Sequence, residues 1–267
     1  MIFILDACSA INLLHIFKED NNFLENIFKN YKLTFTKKVL EEVKNNLFSN
    51  KISLDLDQKQ SIRNRQNILF VSNDCEDKKS QEYLKKVIAY NKLNGEFFSS
   101  ALALNLSRLE KDYIFFVTDD IPAREEFSDF FQEHKIGNII STVDFLYTLY
   151  QLEENDIFIK ESFFNLKREY LIEIKSFEEK IENLLSCYKK TKELYFLDGL
   201  LTDLKNINIE KLKDIEIHHR LPSKIKKESK KIKEYINQLF INGNRKILFD
   251  EIDNYIKLIQ ENKQYRL

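Results

Sequence analysis

Through residue 150, short unbroken apolar runs alternate with longer stretches in which apolar side chains recur every three or four positions. The run MIFIL at 1–5 is too short for a helix and suits a strand buried on both faces. ACSAINLLHIF follows with Ala10, Leu13, Leu14 and Phe17 at helical spacing, and KEDNNFLENIFKN sets Phe23, Leu24, Ile27 and Phe28 on one helical face. YKLTFT (31–36) alternates as a short strand does, and Thr36 is placed to cap KKVLEEVKNNLF, whose buried stripe is Val39, Leu40, Val43 and Leu47. Polar 50–66 reads as a surface connector or short helix, NILFVS (67–72) as a strand, and NDCED as a solvated turn without the ligand order of a calcium loop. A helix then points Tyr83, Leu84, Val87, Ile88 and Leu93 inward. Gly95 and Glu96 open the next one, and its Ser99, Ser100, Ala101 and Ala103 permit close packing on a sheet. Tyr113–Thr118 is an apolar strand, PAREEFSDFF a helix with Pro122 early, IGNIIST (136–142) a strand and VDFLYTLYQL a closing helix. Repeated strand–helix alternation predicts an α/β fold built on a parallel sheet flanked by helices.

From Asp156 the period becomes helical throughout. Phe163, Leu166, Tyr170, Ile174, Phe177, Ile181, Leu184 and Tyr188 form one amphipathic stripe, interrupted at Gly199 and at the Asn-containing 206–208. Pro222–Ser223 starts a lysine-rich helix, and Asn242–Gly243 turns into the last one. The expected division is therefore 1–152 as the α/β domain and 153–267 as an all-helical C-terminal domain, a cap or an oligomerisation module.

Composition narrows the class. With 43% apolar residues, 4 Gly and 2 Pro, the chain can fill a core and must connect its elements by short loops. A net charge of −1 carries no global sign of nucleic-acid binding, so any such surface has to be local. The densest basic run, Lys224 to Lys233, is either a solvated face or a phosphate-tracking surface through Lys224, Lys227 and Lys231. Three cysteines, at 8, 75 and 187, have neither zinc nor disulfide spacing, which fits a reduced, cytoplasmic setting. No basic leader precedes the first apolar run, and no stretch reaches the length of a membrane span, so no membrane partner is expected.

Candidate chemistry lies in acids placed where strands end or helices begin. Asp6 follows the first strand, Asp119 and Asp120 follow Tyr113–Thr118, Glu42 lies in the early turns of a helix, and Glu96 opens another. Taken singly, each has a bland role: an N-cap for Asp6, a dipole partner for Glu42 and Glu96, a turn for the aspartate pair. Taken together, one parallel sheet could gather them, because ligands bind at the carboxyl ends of such strands. Converging carboxylates repel unless a cation sits among them, and an all-oxygen donor set selects Mg²⁺ or Mn²⁺. Such a site can activate water for phosphodiester hydrolysis. No Walker motif, nucleophile elbow or GxGxxG is present.

The series ILDACSAINLL, TKKVLEEV, NGEFFSSALAL, FFVTDDIPAR and GNIISTVDFL resembles the PIN-domain nucleases, among them the toxin ribonucleases of bacterial toxin–antitoxin pairs, over about residues 1–150. The resemblance implies a PIN-like sheet, an acidic Mg²⁺ or Mn²⁺ pocket and endonuclease activity on RNA. By position it implies Asp6, Glu96, Asp119 and Asp120 as metal-binding acids, and Asp6, Glu42, Glu96 and Asp120 as the catalytic set, with Glu42 either a ligand or an orienting base. The family's spacing of one residue between threonine and acid favours Asp120 as the direct ligand, with Asp119 in support. Ser9 and Asn12 fall at the rim. Arg124 is placed either to touch a phosphate or to pair with Glu125 or Asp120. An antitoxin or activating protein, and a homo-oligomer, are partners consistent with this family. The contrasting expectation is a catalytically silent PIN-like scaffold that binds RNA or a protein through its helical half. The chain also departs from a minimal toxin by continuing for a further helical segment after residue 152.

Overall fold

The computed structural model describes residues 1–16, 25–27, 30–47, 77–88, 90, 92–152, 156–170 and 245–264, with isolated positions between 179 and 202. Four strands form one sheet: β1 (Ile2–Leu5), β2 (Lys32–Thr34), β3 (Ile114–Val117) and β4 (Gly137–Ile140). Their order is β2-β1-β3-β4 and every pairing is parallel, with Phe3 opposite Leu33 on one side and Phe115 on the other. The expected α/β class and parallel sheet are therefore present. The strand expected at 67–72 lies outside the described residues, as do Phe17, Phe23, Leu24 and Phe28.

Helices α1 (Ala7–Ile16), α2 (Lys37–Leu47), α3 (Lys78–Val87), α4 (Gly95–Glu110), α5 (Ile121–Glu133) and α6 (Thr142–Leu152) make the connections between strands or follow the last one. Several begin on side-chain caps that the sequence supplies locally. The Thr36 hydroxyl accepts from the Val39 amide at 3.2 Å, Asn94 caps α4, and Asp120 caps α5 ahead of Pro122. Each such cap satisfies an amide that the first turn of a helix leaves free, an effect of about 1 kcal/mol.

Alternation along the strands sorts side chains to two covered faces. Phe3 stacks on Phe115 at 5.3 Å and meets Phe145 of α6 edge-on at 5.0 Å. On the other face, Ile2, Ile4, Ile114 and Phe116 join Phe97, Leu102 and Leu104 of α4 and Phe127, Phe130 and Phe131 of α5 in one buried cluster. Both faces being covered explains why β1 and β3 read as unbroken apolar runs. Burying each Phe or Ile contributes about 1.5–3 kcal/mol. Ser99, Ser100, Ala101 and Ala103 are buried as their size suggested, letting α4 lie close to the sheet. Two expected inward positions are corrected. Val87 is 44% and Leu93 55% exposed, because α3 ends at Val87 and the chain turns extended at Ile88 before it would bury them.

The chain divides into two compact units, Met1–Glu169 with Glu251–Leu267, and Tyr170–Asp250. The expected boundary at 152/153 thus falls inside the first unit. The reason is that α7 (Asp156–Tyr170) buries Ile159, Phe163 and Leu166, and α8 (Arg245–Gln264) buries Ile252 and Ile259. Of the amphipathic stripe, Phe163 and Leu166 extend the first core, while Ile174, Phe177, Ile181, Leu184 and Tyr188 lie outside the described residues. Among the described residues no helix is long and apolar enough to cross a membrane.

Candidate acidic site

After β1 the chain crosses to β2 on one side of the sheet, and after β3 it crosses to β4 on the other. The carboxyl ends of β1 and β3 are neighbours from which the connections diverge, the place where an open parallel sheet leaves a crevice. Asp6 leaves one of these ends and Asp119–Asp120 the other. The backbone ties them together, since the Asp6 amide donates to the Val117 carbonyl at 3.0 Å.

Asp6 is only 2% exposed. Its Oδ1 accepts from the Ser9 amide at 2.7 Å, so it does cap α1, and its Oδ2 accepts from the Thr118 hydroxyl. The cap and the site reading therefore coexist in one side chain. Burial pushes the Asp6 carboxyl up to about 7, against the Thr118 and Ser9 hydrogen bonds, and the charge of Asp119 adds to the rise. Asp119 is held from several elements at once. Its Oδ1 accepts from the Thr142 amide at 2.8 Å, and its Oδ2 accepts from the Asn12 side chain at 2.7 Å and the Thr142 hydroxyl at 2.9 Å. The Thr142 hydroxyl also lies 2.9 Å from that of Ser9.

A second group gathers at the start of α4. The Glu42 Oε1 accepts from the Gly95 amide at 3.0 Å. A Cβ on Gly95 would stand 2.5 Å from the Glu42 Oε2, so the absence of a side chain there lets α2 deliver a carboxylate onto the helix N-terminus. Glu96 follows immediately. Burial raises its carboxyl above the ordinary range, and Asp120 and Glu42 push in the same direction while Lys92 opposes. Its Oε2 is buried without a hydrogen-bond partner among the described residues. Asp120 caps α5 through the Ala123 amide at 3.1 Å while its own amide donates to the Thr118 hydroxyl at 3.1 Å. Thr118 therefore links the two groups, touching Asp6 with one hydrogen bond and Asp120 with another.

Asp6, Asp119, Ser9 and Asn12 thus share one hydrogen-bonded network, and Glu42, Glu96 and Asp120 share one electrostatic neighbourhood. Among the described residues, no three His, Cys, Asp or Glu side chains lie close enough to form a ready metal-binding group. The donor set is that of a hard cation, and the buried, unpartnered oxygen of Glu96 is the kind of atom a cation would satisfy. Drawing Asp6 or Asp119 to the same ion would require side-chain rotation. Lys224, Lys227 and Lys231 lie outside the described residues.

Arg124 does not pair as expected with Glu125 or Asp120. Its guanidinium lies 4.0 Å from Asp144 and 3.6 Å from Glu251. The α5 helix turns it toward α6 and α8, away from its sequence neighbours. Burial raises the Glu251 carboxyl, Asp144 adds to the rise, and Arg124 and the Ser141 hydroxyl oppose it. Tyr90 is a further neighbour that local sequence did not single out. Its hydroxyl is hydrogen-bonded to Asn94, its ring packs 4.9 Å from Phe127, and burial and the charges of Glu96 and Asp120 raise its phenol. Thr142 and Asp144 were legible in principle: Ser141-x-x-Asp144 is a reciprocal cap, with the Ser141 amide on Asp144 at 3.1 Å and the Asp144 amide on the Ser141 hydroxyl at 3.0 Å. Glu251 and Tyr255 carried no local signal.

No protein-family model, curated protein or solved structure matches the chain.

Proposed function

We propose that the protein is a PIN-like, Mg²⁺- or Mn²⁺-dependent endonuclease acting on RNA, with the cation held between the Asp6–Asp119 and Glu96–Asp120 groups. The observation that carries this reading is the buried, unpartnered Glu96 Oε2 beside the charges of Asp120 and Glu42, next to a sheet switch point that presents Asp6. A protein gains nothing structural by burying such repelling carboxylates, so a cationic ligand is the economical reason for them. When bound, the cation would lower the pKa of a water and stabilise charge building on phosphorus. The chain's own residues do the rest. Thr118 fixes Asp6 and the backbone of Asp120 in one geometry, while Gly95 holds the Glu42 carboxylate beside Glu96, where it can accept the proton of an attacking water. Attack forms the new P–O bond as the bond to the leaving oxygen breaks, and that oxygen takes up a proton. Labelled RNA incubated with the purified protein and Mn²⁺ should be cut, and cleavage that persists in Asp6→Ala sinks the assignment.

The toxin or defence role, and control by an antitoxin or activating protein, belong to the same proposal. Expression is expected to arrest growth only when Asp6 is intact. One observation favours a second reading, a catalytically silent scaffold. Asp119 is already satisfied by Asn12 and Thr142, and no ready three-residue metal group is present among the described residues. Mn²⁺ titration separates the two, because a silent scaffold shows no metal-dependent rise in melting temperature.

A further inference from the structure

The C-terminal helix reaches the acidic site by a chain of hydrogen bonds. The Ser141 hydroxyl donates to the Glu251 Oε2 at 3.0 Å across 110 positions of sequence. The Tyr255 hydroxyl donates to the Asp144 Oδ1 at 2.6 Å, and the Asp144 Oδ2 accepts from the Ser141 amide. Arg124 lies 4.0 Å from Asp144 and 3.6 Å from Glu251, and its single charge offsets part of their repulsion. Tyr255 is itself anchored by stacking on Tyr147 at 4.2 Å. Both contacts end at the start of α6, on Ser141 just before it and on Asp144 in its first turn, and the residue after Ser141 is Thr142, whose amide and hydroxyl hold both oxygens of Asp119.

We propose that Glu251 and Tyr255 are positioning residues, which fix the Ser141–Thr142 turn and through it the orientation of the Asp119 carboxylate. The C-terminal helix is then part of the site. Neither side chain hydrogen-bonds to the acids that would meet a cation; apart from the repulsion between the Glu251 and Asp119 charges, each acts on Asp119 through the start of α6. Glu251 is well suited to this because its carboxylate accepts from the Ser141 hydroxyl while lying 3.6 Å from the Arg124 guanidinium. The link to metal binding rests on the proposed nuclease reading. The link to Asp119 does not.

The test uses the full chain and two readouts. Hydrogen exchange of the metal-free protein follows the segment 139–146, which carries the Ser141, Thr142 and Asp144 amides. Loss of one buried hydrogen bond to a charged group should speed its exchange about 10-fold in Glu251→Ala. Glu251→Gln keeps an acceptor for the Ser141 hydroxyl and should stay within about 3-fold of wild type. Tyr255→Phe removes one hydroxyl without emptying the core, and reads the same segment should the alanine variant fold poorly. Calorimetric titration with Mn²⁺ then gives the affinity, expected to fall about 10-fold in Glu251→Ala and to recover in Glu251→Gln. Unchanged exchange at 139–146 in Glu251→Ala and Tyr255→Phe overturns the proposal, as does a rise spread evenly over the whole protein, the signature of a purely structural helix. Faster local exchange with unchanged Mn²⁺ affinity overturns the link to the site. A wild-type protein that takes up no Mn²⁺ refutes the nuclease reading, while the exchange result still decides the positioning role.

Discussion

Replacing Asp6 by Asn should stabilise the metal-free protein at neutral to alkaline pH. The carboxyl is buried and its pKa is raised from 3.8 to about 7 in the folded state. A raised carboxyl binds its proton more tightly when folded, so its unfavourable contribution is absent below the unfolded value. It grows as pH rises from about 4 to about 7, and is constant above that. Three pKa units at roughly 1.4 kcal/mol each set the full cost near ~4 kcal/mol. An amide has nearly the same shape. It can accept from the Ser9 amide at one atom, but at the other it presents a donor to the Thr118 hydroxyl, which must rotate to accept. Losing the stronger, charge-assisted bonds offsets part of the gain, about 1.5 kcal/mol for each. The expected net gain at pH 8 is therefore about 1–3 kcal/mol, or roughly 2–10 °C in melting temperature for a unit of this size. Thermal melts of both proteins in chelator at pH 4.5, 6 and 8 provide the assay, with the difference expected to shrink toward zero or reverse at the lowest pH. Adding Mn²⁺ should raise the wild-type melting temperature and leave Asp6→Asn where it was. An Asn variant that melts lower than wild type at pH 8, or a difference that does not change with pH, would refute the reasoning.

Three further outcomes follow from the same geometry. Gly95→Ala sets a Cβ 2.5 Å from the Glu42 Oε2 and 3.2 Å from Val39, and the flexible carboxylate can swing away. Urea unfolding should show a loss of only about 1 kcal/mol, while Mn²⁺ affinity falls several-fold. Gly137→Ala has no such escape, because φ is 154° and the new Cβ would stand 1.8 Å from the Ile114 carbonyl oxygen of the neighbouring strand. Soluble yield and urea unfolding followed by circular dichroism should report a loss of more than about 3 kcal/mol. Because burial raises Asp6 and Glu96 above the ordinary carboxylate range, Mn²⁺ uptake should release protons. Calorimetry at pH 6.5 in buffers of different ionisation enthalpy should show that release, and the affinity should increase from pH 6 to 8; a buffer-independent heat would count against Asp6 as a ligand.

Local chemistry made much of the frame legible in the sequence. A short apolar run suits a buried strand, so β1 and β3 were legible in MIFIL and YIFFV, β4 more weakly in IGNII, where Asn138 is exposed, and small residues marked α4 as a closely packed helix. The caps of Asp6 and Thr36 were equally readable, since each acts on an amide three positions away, whereas those of Asn94 and Asp120, at the same spacing, were not assigned from the sequence. The acids could be picked out because a carboxylate directly after an apolar run is costly unless something receives it. Their grouping could not. Asp119 and Asp120 are adjacent, yet the turn sends one into the hydrogen bonds of Asn12 and Thr142 and the other onto the start of α5.

What the sequence determined by itself was the class of fold, the short-range caps and the acids as candidates, because those depend on periodicity and on contacts within one turn of chain. Only the tertiary structure decided that β1 and β3 are neighbours, which places Asp6 against Thr118 across 112 positions. It also decided that Arg124 turns to Asp144 and Glu251, and that the final helix from Glu251 onward belongs to the first compact unit. The physical reason is common to all three. A long-range contact is selected by the burial of whole faces, and the polar side chains that ride on those faces meet wherever packing delivers them, with no trace in their own neighbours.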